Sequence, residues 1–172
     1  VAFDSCRPEP GLVRLYHLSI GSAMADRVLT DDVPFALDYH NLTPRRFLEV
    51  WSPDVLHGVT WGRHQLARLA PRAVVGLGDS SFNESELIAA GCAHTCVVPI
   101  LFDPDTLPTP DPAAVAAIRD RHRGPHWLFV GRIAPNKAQH DLIAALAIAR
   151  RHHDPTTHPT LNGSPPPTAT AP

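Results

Sequence analysis

The chain lacks most of what would direct a reader toward a membrane, a nucleic acid or a secreted scaffold. It has no run of about 18 apolar residues, so the sequence offers no membrane-spanning helix. It has no excess of positive charge: 15 Lys and Arg stand against 17 Asp and Glu, a formal net charge of -2. A phosphate backbone is met by a basic surface, and nucleic acid is therefore not an expected partner. No charged segment precedes an apolar stretch at the start, so no secretory leader is expected. Cysteine is scarce, at three residues (Cys6, Cys92, Cys96). An odd count without a leader predicts reduced thiols and a cytoplasmic setting. Cys92-Ala93-His94-Thr95-Cys96 carries three possible metal donors, but structural zinc normally takes four. Two small, part-buried thiols are the expectation there. Both common phosphate fingerprints, G-x-x-x-x-G-K-[ST] and G-x-G-x-x-G, are missing.

What is present is ordinary for a globular chain: 44% hydrophobic and 19% charged residues in a length of 172. That length suggests one domain or two small ones. LVRLY (12–16) has strand character and ends at His17, followed by a turn at Gly21-Ser22 and helical spacing. PFALDY (34–39) is a second strand, ending at His40, and Pro44 suits the first position of the next helix. A longer helix is expected over about 58–70. AVVGLG (73–78) reads as a buried parallel strand. Asn83 is expected to cap the next helix, with Glu86 as its capping-box partner and Gly91 as its stop. TCVVPI (95–100) follows as a strand. Alternating strand and helix predicts a parallel sheet covered by helices.

Residues 101–111 are rich in proline and aspartate and read as a crossing between domains. Asp111 then caps a helix that starts at Pro112 and runs to about Arg123. HWLFVG (126–131) is a strand, and a helix is expected from about Ala138 to Arg151. The segment 152–172 is poor in apolar residues, and its composition predicts disorder. The tail residues 158–164 nonetheless look faintly like one further strand. His152, His153 and His158 are expected to be solvated, and Trp51, Trp61 and Trp127 to serve packing.

In a parallel sheet, ligands bind beyond the carboxyl ends of the strands. Three places put polar residues there: His17 to Ser22, His40 to Thr43, and Gly131 to Lys137. The third is the most informative. Gly131 lets a ligand approach the backbone, Arg132 offers a planar fork of donors and Lys137 a compact charge. Two cations at a helix mouth suit a diphosphate.

Strand–Gly131-Arg132-Ile133-Ala134-Pro135-Asn136-Lys137–helix resembles the G-R-x-x-x-x-K segment of the glycosyltransferase group 1, or family 4, enzymes of the GT-B fold. YHLSIGS (16–22) resembles their acceptor-domain strand–turn, and LDYHNLTP (37–44) their YHNxTP turn. GRHQLARLAPR, GLGDSSFNESEL and VVPILFD resemble the segments that follow, in the same order. The resemblance implies an α/β protein of GT-B type. Residues 12–100 would be a partial Rossmann-like acceptor domain, 101–111 the crossing, 112–151 the first strand–helix part of a Rossmann-like nucleotide-sugar domain, and 152–172 a disordered tail. It implies transfer of a hexose from a nucleotide-diphosphate sugar to a glycan or lipid-linked acceptor, with retention. The setting would be cytoplasmic, with peripheral membrane contact where the acceptor is lipid-linked. Gly131, Arg132 and Lys137 would hold the donor diphosphate. His40 would act beside the reacting sugar, and a His capping a buried turn is the alternative for that residue. His17, Gly21, Ser22 and Asn41 would line the acceptor side. No metal and no cofactor is implied, the nucleotide sugar being a substrate.

The chain departs from the family pattern at both ends. The first strand and glycine-rich loop would precede Leu12, and the E-x-x-x-x-x-x-x-E segment would follow Lys137, yet the last glutamate is Glu86. The expectation is a fragment lacking both ends, with two competing readings. One is a non-catalytic remnant or diphosphate-binding module. The other is a nucleotide-sugar epimerase, which shares the architecture but needs carboxylate acid–base partners.

Overall fold

The structure is a computed structural model, and it describes residues 11, 13–30, 32–49, 53–121 and 123–163. Leu12, Cys6, Trp51 and the end of the expected tail, 164–172, lie outside the described residues. The chain forms two compact units, 1–102 and 103–172, so the division falls inside the proline-rich crossing.

The first unit is a parallel four-stranded sheet in the order β1-β2-β3-β4. Its strands are β1 Arg14–Leu18, β2 Phe35–Tyr39, β3 Val75–Gly78 and β4 Thr95–Val97. Helices α1 Ala23–Val28, α2 Pro53–Leu69 and α3 Ser81–Ala89 connect them. The alternation of a pleated strand sorts the side chains. Tyr16, Leu18, Phe35, Leu37 and Tyr39 are buried on one face, in a core with Val28, Leu42, Leu66, Leu69 and Leu87. On the other face Leu15 and His17 are exposed, while Ala36, Asp38, Val75 and Leu77 are half-buried. The expectation of a parallel sheet holds, but the covering is one-sided in β1. The register sets His17 directly beside Asp38 on this open face.

Three local expectations are corrected. Ser80, not Asn83, is the N-cap of α3, its hydroxyl accepting from the Asn83 N–H at 3.3 Å. Pro44 precedes only a short 3-10 turn, Arg45–Phe47, and not a full helix. The long helix α2 begins at Pro53, five residues before the expected 58.

The second unit has α4 Pro112–Arg121, β5 His126–Val130, α5 Gln139–His152 and β6 His158–Asn162. Asp111 caps α4 as expected, accepting from the Ala113 N–H at 2.9 Å. β5 and β6 pair in parallel, from His126↔His158 to Val130↔Asn162. The disorder expected from residue 152 is therefore overturned for 158–162. Asp154 accepts from the Thr156 N–H at 2.8 Å and makes the tight turn that returns the chain to β5. Low apolar content did not prevent a strand here, because five ladder positions come from backbone groups, which every residue but proline supplies in full. Among the described residues of this unit only Leu146 and Thr157 are buried, and Leu128 and Val130 of β5 are each 69% exposed.

Candidate functional site

The sequence-predicted residues of the first unit divide into two sets. His17 and His40 come together: their rings stack with centroids 4.0 Å apart and an interplanar angle of 29°. His17 Nδ1 and His40 Nε2 each lie 3.1 Å from one oxygen, Asp38 Oδ2. The other nitrogen of His40, Nδ1, faces Asp79 Oδ2 at 3.6 Å. Asp79 is held in turn by the side-chain amide of the buried Asn83. Asp38 was not singled out from the sequence. The signal that finds it is register: two parallel strands that both end in a tyrosine- or leucine-flanked polar residue place position 17 against position 38.

The loop after β2 is fixed from below. The Tyr39 hydroxyl donates to Glu86 Oε2 at 2.6 Å and accepts from the Leu42 N–H at 3.1 Å. Arg63 donates to Glu86 Oε1 at 2.7 Å and to the Leu42 carbonyl at 2.6 Å. Burial, then the hydrogen bond to Glu86, pushes the Tyr39 phenol well above its ordinary range. Glu86 thus belongs to this network and not to a capping box. Held at both ends, the loop carries Asn41 in the left-handed region at φ 67°. A non-glycine residue there is uncommon and gathers at functional loops. Asn41 Oδ1 is buried and has no hydrogen-bond partner among the described residues. Such an acceptor fits a hydroxyl or amide donor from a ligand.

Gly21 and Ser22 serve the architecture of the turn. Gly21 donates to the Gly58 carbonyl of α2 at 2.9 Å. Gln65 accepts from the Ser22 N–H at 3.0 Å and donates to its carbonyl at 2.8 Å. The hydroxyls of Ser22 and Tyr16 hydrogen-bond at 3.0 Å. Ser22 has its backbone and side-chain groups engaged within the protein. His17 and His40 remain accessible, and Asn41 Oδ1 remains without a partner among the described residues.

In the second unit Gly131 extends the β5–β6 ladder, its N–H donating to the Asn162 carbonyl at 2.9 Å. Arg132 follows and is exposed, and its carbonyl accepts from Gln139 at 2.7 Å. Lys137 does not open α5. It ends a separate 3-10 turn, Pro135–Lys137, and Ala138 at φ 51° separates that turn from the helix. Ala138 gives α5 no side-chain cap, and its carbonyl accepts from the Asp141 and Leu142 N–H groups at 3.0 and 3.2 Å. Asp141 in the first turn opposes an anion there. Among the described residues neither the Arg132 guanidinium nor the Lys137 ammonium is paired. Lys137 is also the single lysine of the sequence, a feature that reading by motif overlooked.

Among the described residues, the remaining His, Cys, Asp and Glu side chains form no further cluster of three or more that could hold a metal ion. Cys92 is buried, its thiol 3.3 Å from the His94 carbonyl, and Cys96 is exposed rather than part-buried. Asp103-Pro104-Asp105 reads as an Asp-x-Asp pair, but Asp103 caps a short turn by accepting from the Asp105 N–H at 3.0 Å. Trp61 is half-buried and, with His57, Thr60 and His64, lines a shallow depression of about 370 Å³.

No protein-family model matches the chain, no curated protein matches it, and no solved structure matches it. No helix among the described residues is long and apolar enough to cross a membrane.

Proposed function

We propose that the chain is built for glycosyl transfer of the GT-B kind: a hexose moves from a nucleotide-diphosphate sugar to a hydroxyl of a glycan or lipid-linked acceptor, with retention. The observation that carries the reading is the segment from Gly131 to Lys137. It leaves a parallel strand, presents two unpaired cations and meets a helix start with no side-chain cap. That combination suits a diphosphate: the guanidinium can take two phosphate oxygens, the ammonium neutralises a second charge, and leading amides add donors. Charge built on a departing nucleoside diphosphate would be stabilised by the same groups.

The resemblance of YHLSIGS and LDYHNLTP to acceptor-domain turns supports the same reading. In it, Asn41 Oδ1 takes a hydroxyl of the acceptor, and His40 stands beside it in the first unit. His17 stacks on His40 and limits its rotation. Transfer of this kind takes place in a cytoplasmic setting. A second reading has its own observation. The sequence has no glutamate beyond Glu86, so the carboxylate pair that binds the donor sugar in the family is not supplied by this chain. In this second reading the residues from Gly131 to Lys137 bind a diphosphate without turning a sugar over.

Titration calorimetry with uridine, guanosine and adenosine diphosphates tests both. Binding of at least one is expected, with Arg132→Ala weakening it by roughly 10- to 100-fold, the loss of one charged hydrogen-bonding partner. Unchanged affinity in that variant would remove Arg132 from the site. Release of nucleoside diphosphate from a nucleotide hexose then separates transferase from module.

A further inference from the structure

We propose that His17, Asp38 and His40 form a site for one divalent transition-metal ion of the zinc class, oriented from behind by Asp79. The inference rests on the geometry of the first unit alone and does not depend on the glycosyl-transfer reading.

One donor atom from each of the three residues lies within 4.8 Å of the other two. Two imidazole nitrogens and a carboxylate oxygen are a donor set that borderline divalent ions favour. Three protein ligands leave a fourth position for water or a substrate oxygen. All three ligands can be reached from solvent: the side chain of His17 is half-exposed, and Asp38 and His40 are partly exposed. They also come from a rigid frame, since His17 and Asp38 are register neighbours in β1 and β2.

The second observation is convergence on one oxygen: His17 Nδ1 and His40 Nε2 each lie 3.1 Å from Asp38 Oδ2, and the two rings stack. The far nitrogen of His40, Nδ1, faces Asp79 Oδ2 at 3.6 Å, an outer carboxylate of the kind that commonly supports a ligating histidine. Asp79 is itself fixed by Asn83.

The test uses the full chain, with zinc chloride in calorimetry and cobalt chloride in visible spectroscopy. One equivalent of zinc is expected to bind. His17→Gln and His40→Gln should each weaken it at least tenfold, with the fold checked by circular dichroism. His17 is the more exposed and the safer variant. Cobalt should give ligand-field bands without a thiolate charge-transfer band. His94→Ala/Cys96→Ser and His152→Ala/His153→Ala should leave the affinity unchanged. The proposal is overturned by an absence of zinc binding. It is equally overturned by affinity that survives His17→Gln, by a thiolate band, or by loss that follows the Cys96 or His152 variants instead.

Discussion

Tyr39 shows how much of the site depends on one buried hydroxyl. It links Glu86 to the Leu42 N–H and so holds the loop that carries His40 and Asn41. Tyr39→Phe removes that link and leaves Glu86 and the buried Leu42 amide short of a partner. The expected cost is about 1–3 kcal/mol in urea unfolding. The same residue sets a pH dependence. Its folded pKa is raised, so the neutral phenol is the form the fold favours. The stabilisation is complete below the ordinary phenol value of about 10 and is lost as pH rises through it toward the folded value. Unfolding midpoints of the parent should therefore fall between about pH 9 and pH 11 more steeply than those of Tyr39→Phe. Parallel slopes would contradict the network. Asp154 has the opposite sign. The Thr156 hydroxyl, then the Thr156 N–H, lower its pKa from 3.8. Its turn is thus fully supported above that value and weakens as pH falls below it. The carboxyl carbon resonance of Asp154 should titrate below 3.8, and a midpoint at or above 3.8 would refute the turn. At this scale the sequence disclosed His17 and His40, because each closes an apolar strand. It did not disclose Glu86, whose partner Tyr39 lies 47 residues away. A capping-box spacing near a helix start hid that longer connection.

At the scale of elements, α2 packs tightly on the turn after β1, with the Gly21 N–H donating to the Gly58 carbonyl. The backbones approach so closely that a Cβ on Gly62 would lie 2.8 Å from both the Gly21 nitrogen and Leu42 Cδ2. Gly62→Ala must push α2, the 19–22 turn or Leu42 aside, an overpacking that costs about 1–3 kcal/mol. Thermal unfolding should show the loss, and shifts in the ring resonances of His17 and His40 should show the displacement. A variant as stable as the parent would mean that the approach is not as close as described. The sequence located β1, β2, β3, α3, α4 and α5 by period and punctuation. It misplaced the start of α2, while α5 starts at Gln139, one residue after the expected Ala138. Ser-Pro at 52–53 is as good a helix start as Gly58, since proline suits the first helical position, and the chain starts the helix there. Lys137 stands in front of an apolar periodic run, but left-handed Ala138 intervenes and periodicity does not register a single φ. β6 was the hardest to read, since a polar edge strand is held by its ladder and by the Asp154 turn rather than by apolar spacing.

For the whole molecule, the two units differ in what holds them. The first has a continuous core around Leu18, Leu37, Tyr39 and Leu66. The second buries little, and Leu128, Val130, Ile143 and Ile148 stay exposed. Local opening is easiest where apolar contacts are few. Limited proteolysis followed by mass spectrometry should therefore cut within 103–163 well before 13–102, and equal resistance of the two would contradict this division. The claim that matters most is that Arg132 and Lys137 await a diphosphate. The single lysine permits a direct measurement. Reductive methylation with 13C-formaldehyde gives the chain one lysine side-chain resonance, distinct from that of the terminal amine. Titration with uridine, guanosine or adenosine diphosphate is predicted to shift that resonance saturably, and Arg132→Ala to abolish the shift at the same concentration. A lysine resonance that stays in place through millimolar concentrations of all three would contradict the account.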